Sequence, residues 1–223
     1  MSMNLGNQRG FTLAELMVST LITTLVLGGA VMMTSQVQQS FRRQIEDSAG
    51  EQEGRYALEW VSRLIRAAGN NPYGLPANPT DTSACPAAGT AYSWLIMNPD
   101  PDGVNRTVRL QTDSNPPDGL LGGPPGTCNQ ANEDVTVSFD PLTNSITFLD
   151  NNLGGGASIR TDAVIEDLAF IFKDSLHNPT TNADNVAYVE TQVTVRTRTI
   201  NGSTGQPETR LLTQEVRVRG RNY

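Results

Sequence analysis

Glu15 is the residue whose surroundings most require a chemical explanation, because it is the single charge in an apolar stretch covering residues 11–33. A short polar leader precedes this stretch, contains the cation Arg9 and ends in Gly10. As a helix the stretch would be about 35 Å long, which is enough to cross a bilayer core of roughly 30 Å. A carboxylate one turn into such a helix costs about 2.5–3.5 kcal/mol, so Glu15 is expected to meet a partner of opposite charge.

The junction between leader and apolar stretch has a specific pattern: a cation, a glycine, an aromatic residue, a spaced glutamate and a long apolar run. The pattern resembles the class III signal of type IV prepilins and type II secretion pseudopilins, and the matching residues are Gly10, Phe11, Thr12, Leu13 and Glu15. The resemblance implies that a prepilin peptidase cuts after Gly10 and that the new N-terminal residue, Phe11, is methylated. An ordinary signal peptide has a shorter apolar core with the cut site after it, and a plain anchor has no use for Glu15.

Charge pairing between subunits is the chemistry that this resemblance implies for Glu15. After cleavage, Phe11 would carry an α-amino cation inside the membrane, and Glu15 of a neighbouring subunit can neutralise it. Two buried charges are tolerated in an apolar medium only when they are paired. We therefore expect Glu15 to set the axial offset at which subunits assemble.

A single long helix is predicted to position these residues. Residues 35–68 contain no proline, and their apolar residues recur at helical spacing, so the pattern predicts one helix over residues 11–68. Gly69 and Pro72 are expected to end it, because glycine suits the left-handed cap and proline cannot continue a helix.

Two glycine pairs, Gly28-Gly29 and Gly50 with Gly54, are expected to be weak points in this helix, because each glycine costs about 1 kcal/mol relative to alanine.

The predicted organisation has four parts: a leader at 1–10, a transmembrane and assembly helix at 11–33, an amphipathic helix extension at 34–69, and an extracytoplasmic antiparallel β domain with long loops at 70–223.

The strands of the β domain are predicted by alternation of apolar and polar residues between turn-rich loops. They lie at residues 91–97, 107–112, 134–139, 145–149, 158–160, 163–172 (with a bulge), 186–200 and 209–220. In the last two strands the apolar residues, such as Val193 and Leu212, have opposite parity, so odd-numbered residues of one should face even-numbered residues of the other. This register is expected to bring Glu190 close to Arg217 or Arg219.

The sequence at the end of the helix resembles particular classes of prepilin-like proteins. Residues 54–69 resemble the corresponding part of minor pilins of the PilW class and of pseudopilin J of type II secretion, and residues 163–222 resemble them less closely. The implied fold class is α+β, a pilin-like fold with a long N-terminal helix whose first half spans the membrane and whose amphipathic second half packs on an antiparallel β-sheet.

The two cysteines, Cys85 and Cys128, lie in loop sequence of a domain expected outside the cytoplasm. An oxidising compartment favours a disulfide between them, which would contribute about 4 kcal/mol in the chain-entropy model. Two free thiols and a metal site are the alternatives, although no CxxC motif or nearby histidine supports the metal.

Four aspartates in two loops suggest a calcium site, because oxygen ligands stand at alternating or near-alternating positions before a glycine. They are Asp100, Asp102, Asp113 and Asp118. The alternative is two ordinary turns, since neither loop has the full spacing of a calcium-binding loop. No other cofactor is expected.

Other functions have weaker support in the sequence. There is one histidine, His177, and no serine elbow, P-loop or HExxH, so an enzyme is not expected. The net charge of −7 argues against a nucleic-acid surface. The arginines of the last two strands allow a DNA-uptake hypothesis, but an ordinary charged strand face is favoured; they are Arg196, Arg198, Arg210, Arg217, Arg219 and Arg221.

The resemblance implies a minor pilin that primes assembly of a type IV pilus and sits at or near its tip. The alternatives are a pseudopilin J-like subunit of a type II secretion filament, and a tip adhesin or DNA-binding module. The expected partners are a prepilin peptidase, other minor and major pilins, the inner-membrane assembly platform and the membrane. The expected location is the inner membrane, with a single pass and a periplasmic domain, and then the pilus surface.

Overall fold

The computed structural model describes residues 11–72, 92–114, 116–123, 129–200 and 206–218. The chain divides into two compact units, Met1–Ile45 and Glu46–Tyr223. Helix α1, Leu13–Ala67, begins in the first unit and ends in the second. Its bounds agree closely with the predicted helix over residues 11–68.

The first unit consists, in its described part, of α1 up to Ile45, and its apolar side chains face outwards. The helix continues through Gly28-Gly29 without a break, and a side-chain carbon added at either glycine would meet nothing within 4 Å. α1 contains an 18-residue window of mean hydropathy 2.0 that is 0% buried, so it is long and apolar enough to cross a membrane. Length and composition thus agree with the predicted transmembrane stretch.

The end of α1 lies in the second unit and has the predicted glycine cap. Gly69 adopts a left-handed backbone with φ of 82°, a conformation that favours glycine. Its N–H donates to the carbonyl oxygen of Gln111 at 2.9 Å, and the N–H of Asp113 donates to the carbonyl oxygen of Asn70 at 2.7 Å. The helix end is therefore joined to the chain that follows the second strand.

The strands of the second unit form two antiparallel sheets, where one was predicted. The five-stranded sheet has the order β1-β2-β3-β4-β5, and its strands are Leu95–Asn98, Thr107–Gln111, Asp134–Asp140, Ser145–Asp150 and Ser158–Ile159. The three-stranded sheet has the order β6-β7-β8, and its strands are Ile165–Lys173, Tyr188–Ile200 and Pro207–Arg217. A short 3-10 helix, Ala183–Asn185, lies between β6 and β7. Most predicted strand bounds are wrong by one to three residues, as expected where tertiary pairing decides where a strand ends.

Close approach between helix and sheet explains the second glycine pair. A side-chain carbon at Gly54 would lie 2.6 Å from Leu212 Cδ1 and 2.7 Å from Val195 Cγ1, and one at Gly50 would lie 3.2 Å from the carbonyl oxygen of Arg196. These glycines are therefore contact points with β7 and β8, a role that the sequence reasoning did not predict.

The core of the second unit lies between the last turns of α1 and both sheets. One face of the helix is buried, at Gly50, Gly54, Ala57, Leu58, Val61, Ser62 and Ile65. Trp60 meets Phe148 of β4 edge to face, with ring centroids 5.6 Å apart. Phe170 of β6 is among the largest fully buried side chains. The helix therefore contacts the five-stranded sheet through Trp60 and the three-stranded sheet through its glycines.

The register of β7 and β8 confirms the parity argument. Val193 faces Leu212, and odd-numbered residues of β7 face even-numbered residues of β8 along the ladder. The bulge predicted in β6 is also present, between Ile165 and Asp167.

Glu190 makes no ion pair with Arg217 in the structure, and Arg219, the other predicted partner, lies outside the described residues. Glu190 faces Glu215 and accepts from Lys173 Nζ at 2.5 Å; the same ammonium donates to Glu215 at 2.8 Å. Lys173 lies on β6, on the other side of β7, so only the strand order shows that it can reach both glutamates.

Candidate assembly site at the N-terminal helix

Glu15 is held by a reciprocal pair of hydrogen bonds with Thr12 at the start of α1. Glu15 Oε2 accepts from the backbone N–H of Thr12 at 3.0 Å and from its hydroxyl at 2.9 Å. In return, the backbone N–H of Glu15 donates to Thr12 Oγ1 at 3.3 Å. This is a capping box, in which the first and fourth residues satisfy backbone donors that have no partner inside the helix.

Thr12 is the functional residue whose role the sequence reasoning missed. The pattern Thr-x-x-Glu before an apolar run was visible in the sequence and predicts this cap. The cap uses Oε2 of Glu15, and no described residue donates to Oε1. Glu15 therefore has one carboxylate oxygen held within its own helix and one available to a cation from another chain.

The surroundings of this cap are apolar and exposed. Phe11, the residue expected to become the N-terminus, is 89% exposed. Gly10, on the other side of the expected cut, lies outside the described residues. The structure thus describes Phe11, Thr12 and Glu15 together but not the bond that the peptidase would cleave.

The hydroxyl groups in the apolar part of α1 are satisfied inside the helix. Each donates to a backbone carbonyl three or four residues earlier; the donors are Ser19, Thr20, Thr23, Thr24, Thr34 and Ser35. A polar group without a partner costs several kcal/mol in lipid. This bonding lets the helix carry hydroxyl groups in an apolar medium without a protein partner.

Asp100 and Asp102, two of the predicted calcium ligands, bind an arginine. Arg106 Nη1 donates to Asp102 at 2.7 Å and to Asp100 at 3.1 Å, while its Nε donates to Asp167 of β6 at 2.7 Å. Hydrogen bonds to Asp167, Asp102 and Asp100 raise the pKa of Arg106. The bond from the N–H of Val104 and then the one from Arg106 lower the pKa of Asp102. The loop is thus tied to β6.

Asp113 and Asp118, the other two predicted ligands, organise a different loop. Asp113 is buried and accepts from the backbone N–H groups of Asp118 at 3.0 Å and Gly119 at 2.9 Å. Asp118 in turn accepts from Gln130 Nε2 at 2.6 Å. The buried Glu133 accepts from the N–H of Ser114 and of Gly122. These carboxylates thus accept from backbone and side-chain donors in the described part of the loop.

The structure does not bring the four aspartates together. Asp100 and Asp102 precede β2 and Asp113 follows it, so the length of the strand, about 15 Å, separates the two loops. Among the described residues, no three His, Cys, Asp or Glu side chains are grouped so that they could hold a metal ion. Calcium stays a prediction, which a rise in melting temperature with millimolar Ca²⁺ but not Mg²⁺ would support.

Cys85 and Cys128 both lie outside the described residues, so their disulfide stays a prediction.

The arginines considered for DNA binding are described in part. Arg196 pairs with Glu166, and Arg210 pairs with Glu51 of α1. These two guanidinium groups are matched by acids of the same domain, which favours the interpretation as a charged strand face.

Comparison with known proteins found one match, at the end of the chain where this cap lies. Residues 5–31 match the family model described as the prokaryotic N-terminal methylation motif. Neither the curated proteins nor the solved structures contain a match to the chain. The motif supports a type IV prepilin-like protein with a pilin-like or pseudopilin-like role, which is structural.

The same motif also has general implications for processing, association and membrane anchoring. It implies processing by a prepilin peptidase and association with other pilins. Together with the apolar helix near the N-terminus, it suggests membrane anchoring.

Proposed function

We propose that the chain is a minor pilin of the PilW class, which primes assembly of a type IV pilus and is incorporated at or near its tip. A prepilin peptidase would cut between Gly10 and Phe11 and methylate Phe11. The proposal is carried by one observation, the methylation motif at residues 5–31 at the start of a helix with outward-facing apolar side chains.

The mechanism we propose is assembly by charge pairing. The α-amino group of Phe11 and the carboxylate of Glu15 are both costly to bury alone. Within one chain, Oε2 of Glu15 is already engaged by Thr12, whereas Oε1 accepts no bond from the described residues. A neighbouring subunit whose Phe11 amine reaches Oε1 would satisfy both charges, so the pairing selects one axial offset between helices.

The second unit would then form the part of the subunit outside the cytoplasm. In their described part, two of its loops are held by Arg106 and by the buried Asp113 and Glu133. We propose that this domain faces the periplasm before assembly and the surface of the filament afterwards, and that the assembly platform of the inner membrane incorporates it.

A pseudopilin J-like subunit of a type II secretion filament is the nearest alternative, because the same cap and the same helix would serve it equally. Deleting the gene for this chain separates the two. Loss of surface pili with normal protein secretion supports the minor pilin, and the opposite result supports the pseudopilin.

Processing is tested by Gly10→Arg in the full chain. Because the peptidase needs a small residue before the cut, mass spectrometry should find the leader still attached, whereas the matched variant Gly10→Ala should yield a chain beginning at Phe11. A mature chain beginning at Phe11 in the Gly10→Arg variant would contradict the proposed processing.

A further inference from the structure

The two edges of the three-stranded sheet differ in whether other parts of the domain cover them. On the β6 side, the N–H of Phe170 donates to the carbonyl oxygen of Asn105 at 2.8 Å, and the N–H of Thr180 donates to that of Phe172 at 2.8 Å. On the β8 side, no described residue outside the sheet makes a backbone hydrogen bond to the outer edge. With respect to the described part of the chain, β8 therefore forms an open edge of eleven residues, Pro207–Arg217.

The direction of the backbone hydrogen bonds alternates along β7 and β8, and this alternation shows which residues of β8 point their N–H and C=O groups outwards. The N–H of Arg196 donates to the carbonyl oxygen of Val164, so even-numbered residues of β7 bond towards β6 and odd-numbered ones towards β8. Val193 and its odd-numbered neighbours face even-numbered residues of β8, such as Leu212. The N–H and C=O groups that point outwards therefore belong to the odd-numbered residues Thr209, Leu211, Thr213, Glu215 and Arg217.

Native sheets usually protect such an edge with charged side chains, but two charges of β8 are engaged elsewhere in the domain. Arg210 pairs with Glu51 of α1, and Glu215 binds Lys173 at 2.8 Å and His177 at 3.2 Å. The middle of the edge is left with neutral residues suited to strands, among them Leu211, which is 58% exposed.

We propose that the outer edge of β8 accepts an extended strand from a different subunit of the same filament, by strand addition. This inference rests on the proposed function, because assembly through α1 would keep the domains of two subunits at high effective concentration. The backbone groups of the odd-numbered residues supply the hydrogen bonds, and Leu211 supplies an apolar contact.

The charges of the edge identify the occupant as a different chain. Arg217 makes no ion pair with any described residue, so the added strand should carry an acid opposite it. A second copy paired antiparallel about Thr213 would place Arg217 opposite Thr209 and Glu215 opposite Leu211. Neither charge is matched in that pairing, and the register about Val216 that would match Arg217 with Glu215 pairs only the last three residues of β8. Both registers therefore disfavour a second copy.

The test uses the full chain in cells that assemble the filament. A photo-crosslinking amino acid is placed at Leu211 and, as a control, at Leu142, which is 92% exposed at the turn between β3 and β4. Position 211 should give an adduct with another subunit at least tenfold more often than position 142, and mass spectrometry of the adduct should find an acidic extended segment. Equal adducts at both positions, or adducts only with a second copy of this chain, would overturn the proposal.

A second substitution separates strand addition from simple proximity. Thr213→Pro removes an N–H that points outwards and leaves the ladder to β7 intact. It should abolish the adduct at position 211, whereas Thr213→Val, which keeps the N–H, should retain it. An adduct that persists in a folded Thr213→Pro protein would refute the proposal.

Charge reversal keeps the proposal testable if the proline variant does not fold. Arg217→Glu should lower the adduct yield at least threefold and Arg217→Lys should preserve it; equal yields in the two variants would refute the proposal. A failure of the proposed function would give a different result. The wild-type chain would then lack a mature N-terminus at Phe11, and no crosslinker position would give an adduct with other filament subunits.

Discussion

The two parts of α1 belong to one continuous helix, but their apolar side chains have opposite surroundings. Up to Ile45 the apolar side chains face outwards: Leu21, Leu25 and Val31 are all more than half exposed. From Glu46 onwards one face of the helix is buried, and Val61 and Ile65 are fully inaccessible.

The difference shows that one helix has two surfaces for different environments: one fits its own domain, and the other is exposed. The second part is matched to its own domain by residues of fitted size, including the glycines that allow β7 and β8 to approach. The first part has no such match among the described residues of its unit, so its apolar surface is available to lipid or to other helices. Stability of the domain should depend on the second part, and assembly on the first.

Truncation of isoleucines at the two positions should show the largest contrast. Ile65 is 0% exposed and Ile45 is 68% exposed, so Ile65→Ala should destabilise the domain by about 2–5 kcal/mol. Ile45→Ala should leave the denaturation midpoint unchanged. Chemical denaturation of the detergent-solubilised chain, followed by tryptophan fluorescence, measures both; equal midpoints for the two variants would contradict the comparison.

Glycine substitutions test the close approach to the sheet. Gly54→Ala places a methyl group within 2.7 Å of Leu212 and Val195, which should cost about 1–3 kcal/mol through overpacking. Gly28→Ala meets nothing within 4 Å and is the matched control. If Gly54→Ala melted at the wild-type temperature, the fit of the helix to the sheet would be looser than described.

The Glu15 carboxylate should affect assembly alone. Glu15→Ala should leave cleavage and domain stability unchanged but reduce co-purification with other subunits about tenfold, or about 1.4 kcal/mol. Glu15→Gln keeps an acceptor for the Thr12 cap and removes the charge. It should therefore be as defective as Glu15→Ala, and normal assembly by the glutamine variant would assign the role to the cap.

The smallest effect is expected at a cluster that neither part of α1 touches. The ammonium of Lys173 lowers the pKa of Glu190 and of Glu215. A lowered pKa in the folded state adds stability above the ordinary value near 4.5, and this stability is lost as the pH falls through the lower folded value. Lys173→Met should remove at most about 1 kcal/mol at pH 7 and should flatten the acid limb of the melting profile, which thermal scans from pH 7 to pH 3 can measure.

The features that could be predicted from the sequence are mostly those set by the spacing of apolar residues or by residues adjacent in the chain. The long helix, its Gly69 cap, the strands β3 and β4 and the parity of β7 against β8 all follow from the local spacing of residues in the sequence. The candidate assembly site could also be predicted, because Gly10, Phe11 and Glu15 are adjacent in sequence. Even the Thr12 cap was visible as Thr-x-x-Glu, since a helix N-terminus is a local structure.

The sequence by itself determined the features that neighbouring residues decide, namely the apolar helix, its ends and the methylation motif. Only the tertiary structure decided the division into two sheets, the partner of Glu190 and the contacts of Gly50 and Gly54. Lys173 reaches Glu190 because β6 lies beside β7, and Gly54 meets Leu212 because β8 lies beneath the helix. These contacts join residues far apart in the chain, and their partners are chosen by packing and strand order, which no local pattern records.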